Sequence, residues 1–118
     1  MALDAVARDT LARHRTVDMT TYGRKTGFPR TIEIWWFLFE DRFIVTGTPG
    51  PRDWLANVRS DPRVIVAIPG MQVDSIAREV DDLEFRRRFF ADSQARWYST
   101  QAGYERLVAE APMIELVF

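Results

Sequence analysis

Arg24, Lys25 and Arg30 place three fixed positive charges in one glycine-bearing turn, within the run Thr20-Thr21-Tyr22-Gly23-Arg24-Lys25-Thr26-Gly27-Phe28-Pro29-Arg30. The glycines serve the reversal itself, because glycine reaches positive φ without a side-chain clash. The cations do not. A guanidinium presents a planar fork to two phosphate oxygens, and a lysine ammonium adds a compact mobile charge. Thr26 and the amides near Gly27 add further donors, so the grouping suits an anion. The alternative is a solvated hairpin tip whose charges only keep a sheet edge soluble.

Three other groups could carry chemistry. A short helix starting near Asp53 would offer its N-terminal amides to an anion and carries Trp54 and Asn57, although Trp54 equally suits a core anchor. The aromatic run Trp35-Trp36-Phe37, with Phe39, could wall the flat, isoalloxazine-like ring of a bound cofactor; Trp35, on the Glu33 face, is the one selected for cofactor contact. Tyr98 and Tyr104 are phenols able to donate a proton, the alternative for each being a surface position on a helix. Other chemistries are excluded by composition. With no cysteine and only His14, the chain has no disulfide, thiolate metal site, cysteine nucleophile or ordinary histidine metal triad, and no metal is expected. Neither a Gly-x-Ser-x-Gly elbow nor a Walker-type loop is present. Any demanding chemistry therefore belongs to a bound organic cofactor.

The elements that must position these residues follow from periodicity. Residues 2–13 read as a short amphipathic helix and 16–21 as extended. Residues 30–39 read as one long strand, apolar on both faces, which a small chain must cover twice. A turn at Asp41-Arg42 leads into a strand at 43–48. Thr48-Pro49-Gly50-Pro51 breaks the chain, Asp53 is the expected N-cap of the next helix, and Pro62 ends it. Strands follow at 64–68 and 72–80, the second with a bulge expected where its apolar parity changes between Val73 and Ile76. Asp81 with Glu84 suggests a capping box. The helix it starts buries Phe85, Phe89 and Phe90 and leaves Arg86-Arg87-Arg88 in solvent. Residues 93–109 read as helical or lid-like, and 113–118 as a final strand.

Sixteen basic and seventeen acidic residues give a net charge of −1, which provides no global attraction to nucleic acid or an anionic membrane. The anion affinity must be local. Asp4, Arg8 and Asp9 interrupt any signal-peptide core, and no apolar run is long enough to span a bilayer. These features, with the absence of cysteine, point to a cytoplasmic chain. The doubly apolar strand points to a homodimer.

The glycine turn, the aromatic strand, the Trp54/Asn57/Pro62 spacing and the charged stretch after Val80 resemble, in that order, the flavin/deazaflavin oxidoreductases of the pyridoxamine-phosphate-oxidase-like split-barrel superfamily. The likeness is closest to the deazaflavin-dependent nitroreductase branch and spans roughly residues 16–118. It implies an α+β fold, a single antiparallel split β-barrel domain over residues 1–118 with flanking short helices. It also implies coenzyme F420, with FMN as the alternative, and hydride transfer to a small unsaturated or nitro-bearing molecule. Arg24, Lys25 and Arg30 match positions that hold the coenzyme's phosphate or acidic tail, and Trp54 and Asn57 match positions that contact it. Tyr98 and Tyr104 fall where relatives carry tyrosines over the substrate, Tyr104 matching better by distance from the last strand. One departure is Pro49-Gly50-Pro51-Arg52 in place of a lysine-bearing glycine-rich segment, with Arg52 a substitute for the missing charge. That shortened loop keeps open a non-catalytic carrier of a small ligand.

Overall fold

The computed structural model describes residues 3–118. Seven strands form one antiparallel sheet: β1 (Thr16–Tyr22), β2 (Pro29–Trp35), β3 (Phe37–Phe39), β4 (Arg42–Thr46), β5 (Arg63–Ile68), β6 (Met71–Glu79) and β7 (Met113–Val117), in the order β2-β1-β5-β6-β7-β4-β3. The helices are α1 (Ala5–Ala12), α2 (Asp53–Ser60), α3 (Leu83–Ala91), α4 (Arg96–Gln101) and α5 (Tyr104–Glu110). None is long and apolar enough to cross a membrane.

The single long strand expected over 30–39 is broken at Trp36. β2 and β3 lie at opposite edges of the sheet yet are separated by this one residue, so the sheet must curl until its edges nearly meet. That curl is the split barrel. Trp36 is turned out of the ladder into the core, where it stacks on Phe43 with ring centroids 4.4 Å apart. Its amide donates to the Arg15 carbonyl (3.0 Å) and its indole Nε1 to the His14 carbonyl (2.8 Å). Nor is β2 covered on two faces: of its residues only Ile34 is half-buried and the rest are exposed.

Two apolar clusters sit on opposite faces of the sheet. Val17, Met19, Val45, Val66, Ile114 and Leu116 fill the curl together with Leu11, Trp36 and Trp54. Ile44 and Met113 point the other way, onto Phe37, Phe85, Phe89, Tyr98 and Leu107 beneath the C-terminal helices. The alternation along β4 and β7 explains how two short strands serve both clusters.

Several local expectations shift. The reversal before β4 uses Glu40 and Asp41, not Asp41 and Arg42; both have positive φ, 49° and 66°. Paired positive φ is the geometry of the tight hairpin turn, which usually takes glycine or asparagine. Here outside charges hold it: Arg88 donates to both Glu40 oxygens (2.7 and 3.0 Å), and Arg8 to the Asp41 carboxylate and carbonyl (2.6 Å each). β6 has no bulge. It pairs with β5 continuously from Arg63↔Ile76 to Ile68↔Met71, with Ser75 and Ala77 continuing the buried face while Ile76 is 47% exposed. Small inward residues had disguised the alternation.

The caps move by one residue. Arg52, not Asp53, is the N-cap of α2, without a side-chain bond. Asp82, not Asp81, caps α3, accepting from the amides of Glu84 and Phe85. Arg86 is not solvated: it is only 6% exposed and donates to the carbonyls of Val80, Leu107, Val108 and Ala111. Burial lowers its pKa, with the nearby Asp81 and Glu79 charges acting in the opposite direction. Arg87 and Arg88 do face solvent, paired with Glu105 and Glu40.

Candidate active site

The β1–β2 turn is shaped by its two glycines for different reasons. Gly27 has φ +74°, whereas a Cβ at Gly23 would lie 2.9 Å from the Thr26 hydroxyl. Gly23 donates to the Phe28 carbonyl (2.9 Å) and Gly27 to the Gly23 carbonyl (2.7 Å), so the turn is closed by its own backbone. Thr26 accepts from the Phe28 amide (3.1 Å), which makes it part of the turn as well as a free hydroxyl donor.

Asn57 fastens this turn to α2. It is 3% exposed; its Oδ1 accepts from both the amide and guanidinium of Arg24 (3.1 Å each), and its Nδ2 donates to Thr21 Oγ1 (3.2 Å). All of its polar capacity toward the turn is engaged, so it positions Arg24. Arg24 also reaches Asp53 at 3.5 Å. Lys25 and Arg30 have no side-chain partner among the described residues. These groups, with Trp54, border an open cavity of about 870 Å³. Six of the residues selected from sequence, Arg24, Lys25, Thr26, Arg30, Trp54 and Asn57, thus share one concavity. Asp53 is its single carboxylate.

Trp54 is buried to 7% exposure and belongs to the core, as one of its two readings held, yet it also borders a second cavity of about 400 Å³. That cavity holds Trp35, Arg52 and Tyr98 from the sequence selection, together with Trp97, Glu33 and Thr46. Trp35 and Trp97 meet edge to face with centroids 5.5 Å apart, and Trp97 in turn meets Tyr98 at 5.2 Å. Trp97 was missed from sequence; an exposed tryptophan beside a tyrosine in the irregular segment was the available signal.

Tyr98 is 4% exposed, and burial pushes its phenol up to about 12, with the positive charge of Arg52 acting weakly the other way. Every fully buried polar side-chain atom among the described residues has a hydrogen-bond partner. The Tyr98 hydroxyl has none and is therefore not fully enclosed, and the residue borders the cavity. Tyr104 lies elsewhere. Its hydroxyl donates to the Arg87 carbonyl (3.2 Å) on the outer side of α3, apart from both cavities. Arg52 borders the aromatic cavity but its guanidinium is engaged with Thr48 (2.9 and 3.0 Å), Gly50 (3.2 Å) and Pro51 (3.2 Å), bracing the short 47–51 loop.

The curled seven-stranded antiparallel sheet is a split barrel, a fold that several solved structures share. A putative pyridoxamine 5'-phosphate oxidase from Listeria innocua superimposes with TM-score 0.70 at 14% identity, over 95% of this chain and 90% of that one. An F420-H2 dependent reductase superimposes with TM-score 0.64 at 21% identity, over 98% and 97%. A third solved structure, described as a domain-swapped dimer, gives 0.65 at 20% over 94% and 93%. The family model of the F420H(2)-dependent quinone reductases matches residues 3–110, and the chain belongs to that family. It is an F420-dependent reductase, and its cofactor is coenzyme F420.

Proposed function

We propose that the chain transfers a hydride from reduced coenzyme F420 to a small planar unsaturated acceptor, a quinone or a nitro-bearing ring. The observation that carries this reading is the position of Trp54 as a wall common to the cationic cavity and the aromatic one. A coenzyme with an anionic tail and a flat ring needs such a pair of adjoining spaces.

The donor set fits the coenzyme. Arg24, Lys25 and Arg30 would hold the anionic tail, Thr26 would add a hydroxyl donor, and Asn57 keeps Arg24 aimed. When bound, the coenzyme supplies the hydride. Trp35 and Trp97 would flank the coenzyme ring and the acceptor lying against it and keep water from both, and Trp54 would separate ring from tail. The Tyr98 hydroxyl keeps its proton throughout the neutral range and would donate a hydrogen bond to the acceptor oxygen that becomes negative. The proton completing a quinol comes from solvent at the open mouth of the slot. Arg52 would act through the 47–51 loop rather than on the coenzyme.

The reading places the chain in the cytoplasm as one catalytic domain that forms a homodimer. Phe28 and Ile32, 67% and 41% exposed at the free β2 edge, support the second subunit. Oxidation of reduced F420 in the presence of 1,4-naphthoquinone, followed by recovery of coenzyme absorbance, tests the activity. Binding of coenzyme without acceptor-dependent oxidation of its reduced form would make the chain a carrier instead.

A further inference from the structure

Most arginines of this chain are engaged by carboxylates or carbonyls, but Arg13, Arg15, Arg30, Arg78 and Arg96 have no such side-chain partner among the described residues. Arg30 borders the coenzyme cavity. Arg15 borders a different one, of about 460 Å³, on the other side of Trp35. Trp35 therefore borders both the aromatic slot and this third cavity.

The third cavity is a surface depression, with Arg15, Ser93 and Gln94 exposed, that offers donors to a negative group next to a ring. Trp36 and Phe37 form its floor, while His14, Arg15, Ser93 and Gln94 supply its polar groups. No carboxylate borders it. The backbone of His14 and Arg15 is fixed to the core, because both carbonyls accept hydrogen bonds from Trp36. Their side chains, like the Ser93 hydroxyl, form no hydrogen bond among the described residues. Gln94 Nε2 reaches only the Leu38 carbonyl, at 3.4 Å. A guanidinium, an imidazole and a hydroxyl, held on a rigid backbone and lacking a counter-charge, suit an anionic oxygen group.

We propose that this cavity is an acceptor subsite that binds the anionic substituent, a carboxylate, sulfonate or enolate, of an aromatic acceptor whose ring lies against Trp35. The subsite would make the enzyme selective for acidic quinonoid acceptors over neutral ones. It rests on the assignment of the Trp35 slot to the acceptor.

The test compares 1,4-naphthoquinone with its 2-sulfonate as acceptors for reduced F420, in the wild type, Arg15→Ala, Arg15→Lys and Arg13→Ala. Arg15→Ala should raise KM for the sulfonate about tenfold, as loss of a charge-assisted hydrogen bond does, with kcat unchanged and the neutral quinone unaffected. Arg15→Lys should recover part of the loss, and Arg13→Ala, next to the cavity but outside it, should resemble wild type. Equal responses to the two quinones, or equal effects of the Arg13 and Arg15 substitutions, would overturn the subsite. Failure of the wild type to reduce either quinone would refute the acceptor assignment. In that case quenching of tryptophan fluorescence by the sulfonate, without coenzyme, still decides the subsite: about tenfold weaker binding in Arg15→Ala supports it, and unchanged binding overturns it.

Discussion

Arg24 answers to two opposing groups: Asn57, which holds it in place at 3.1 Å, and Asp53, a carboxylate at 3.5 Å that a coenzyme phosphate bound as proposed would displace. Arg24→Ala should weaken coenzyme affinity by about one to two orders of magnitude, equivalent to about 1.5–3 kcal/mol for a charge-assisted bond. Asp53→Asn should strengthen it, since it removes the internal competitor. Arg87→Ala, which removes an equal charge facing Glu105 far from the turn, should leave binding unchanged; fluorescence titration of the three variants checks all of this. At about 0.5 M salt long-range attraction is screened, so the Arg24 effect should persist where a diffuse one fades. At Tyr98, substitution by Phe should preserve folding and lower kcat by about tenfold or more, as removal of a preorganised donor does, whereas Tyr104→Phe should leave kcat unchanged. The phenol also makes stability fall with pH. Its folded pKa, raised to about 12 from 10.0, means that between these values the unfolded chain has released a proton the native chain retains. Denaturation midpoints should therefore drop across that window in the wild type, and less so in Tyr98→Phe.

At the scale of elements, Arg86 joins the end of β6 to the last turn of α5 through four carbonyls. Arg86→Leu should cost about 3 kcal/mol or more, because it leaves those carbonyls unsatisfied in a buried place, and urea denaturation should show a lower midpoint with an unchanged slope. Three adjacent arginines look alike in sequence, and only the rotation of α3 against α5 chooses which one is buried. That is the general pattern of what could be read in advance. Arg24, Lys25, Thr26 and Arg30 could be grouped because they occupy one turn, and Trp54 and Asn57 because one helical turn brings them to the same face. Residues 93–109 could not be resolved, since a 3-10 turn at Ser93–Ala95, α4 and α5 are set there by packing on Phe89 and Phe90 rather than by their own periodicity. That packing decides which of the two tyrosines borders a cavity, and it is Tyr98. The break at Trp36 was equally hidden: aromatic residues run through it without glycine or proline, and only the His14 and Arg15 carbonyls reveal why the chain leaves the ladder.

For the molecule as a whole, the apolar surplus that suggested a partner has moved: Trp36 and Phe37 are buried within the chain, while Phe28, Ile32 and Trp35 are exposed on β2 and its turn and Val6, Ile76, Leu83 and Trp97 are exposed on other elements. Light scattering should give a mass near twice 13.7 kDa, and Ile32→Glu with Phe28→Ser should reduce it to the monomer; a concentration-independent monomer in the wild type would remove the dimer. Trp54 as a shared wall has a further consequence for how such a chain can diversify. The cationic cavity is made by residues 21–57, while the aromatic slot also takes Trp97 and Tyr98 from α4, a segment encoded forty residues later. Under the proposed assignment, mutational drift in α4 would reshape the choice of oxidant without disturbing the residues that capture the electron donor, so one inherited anchor would serve a succession of chemistries.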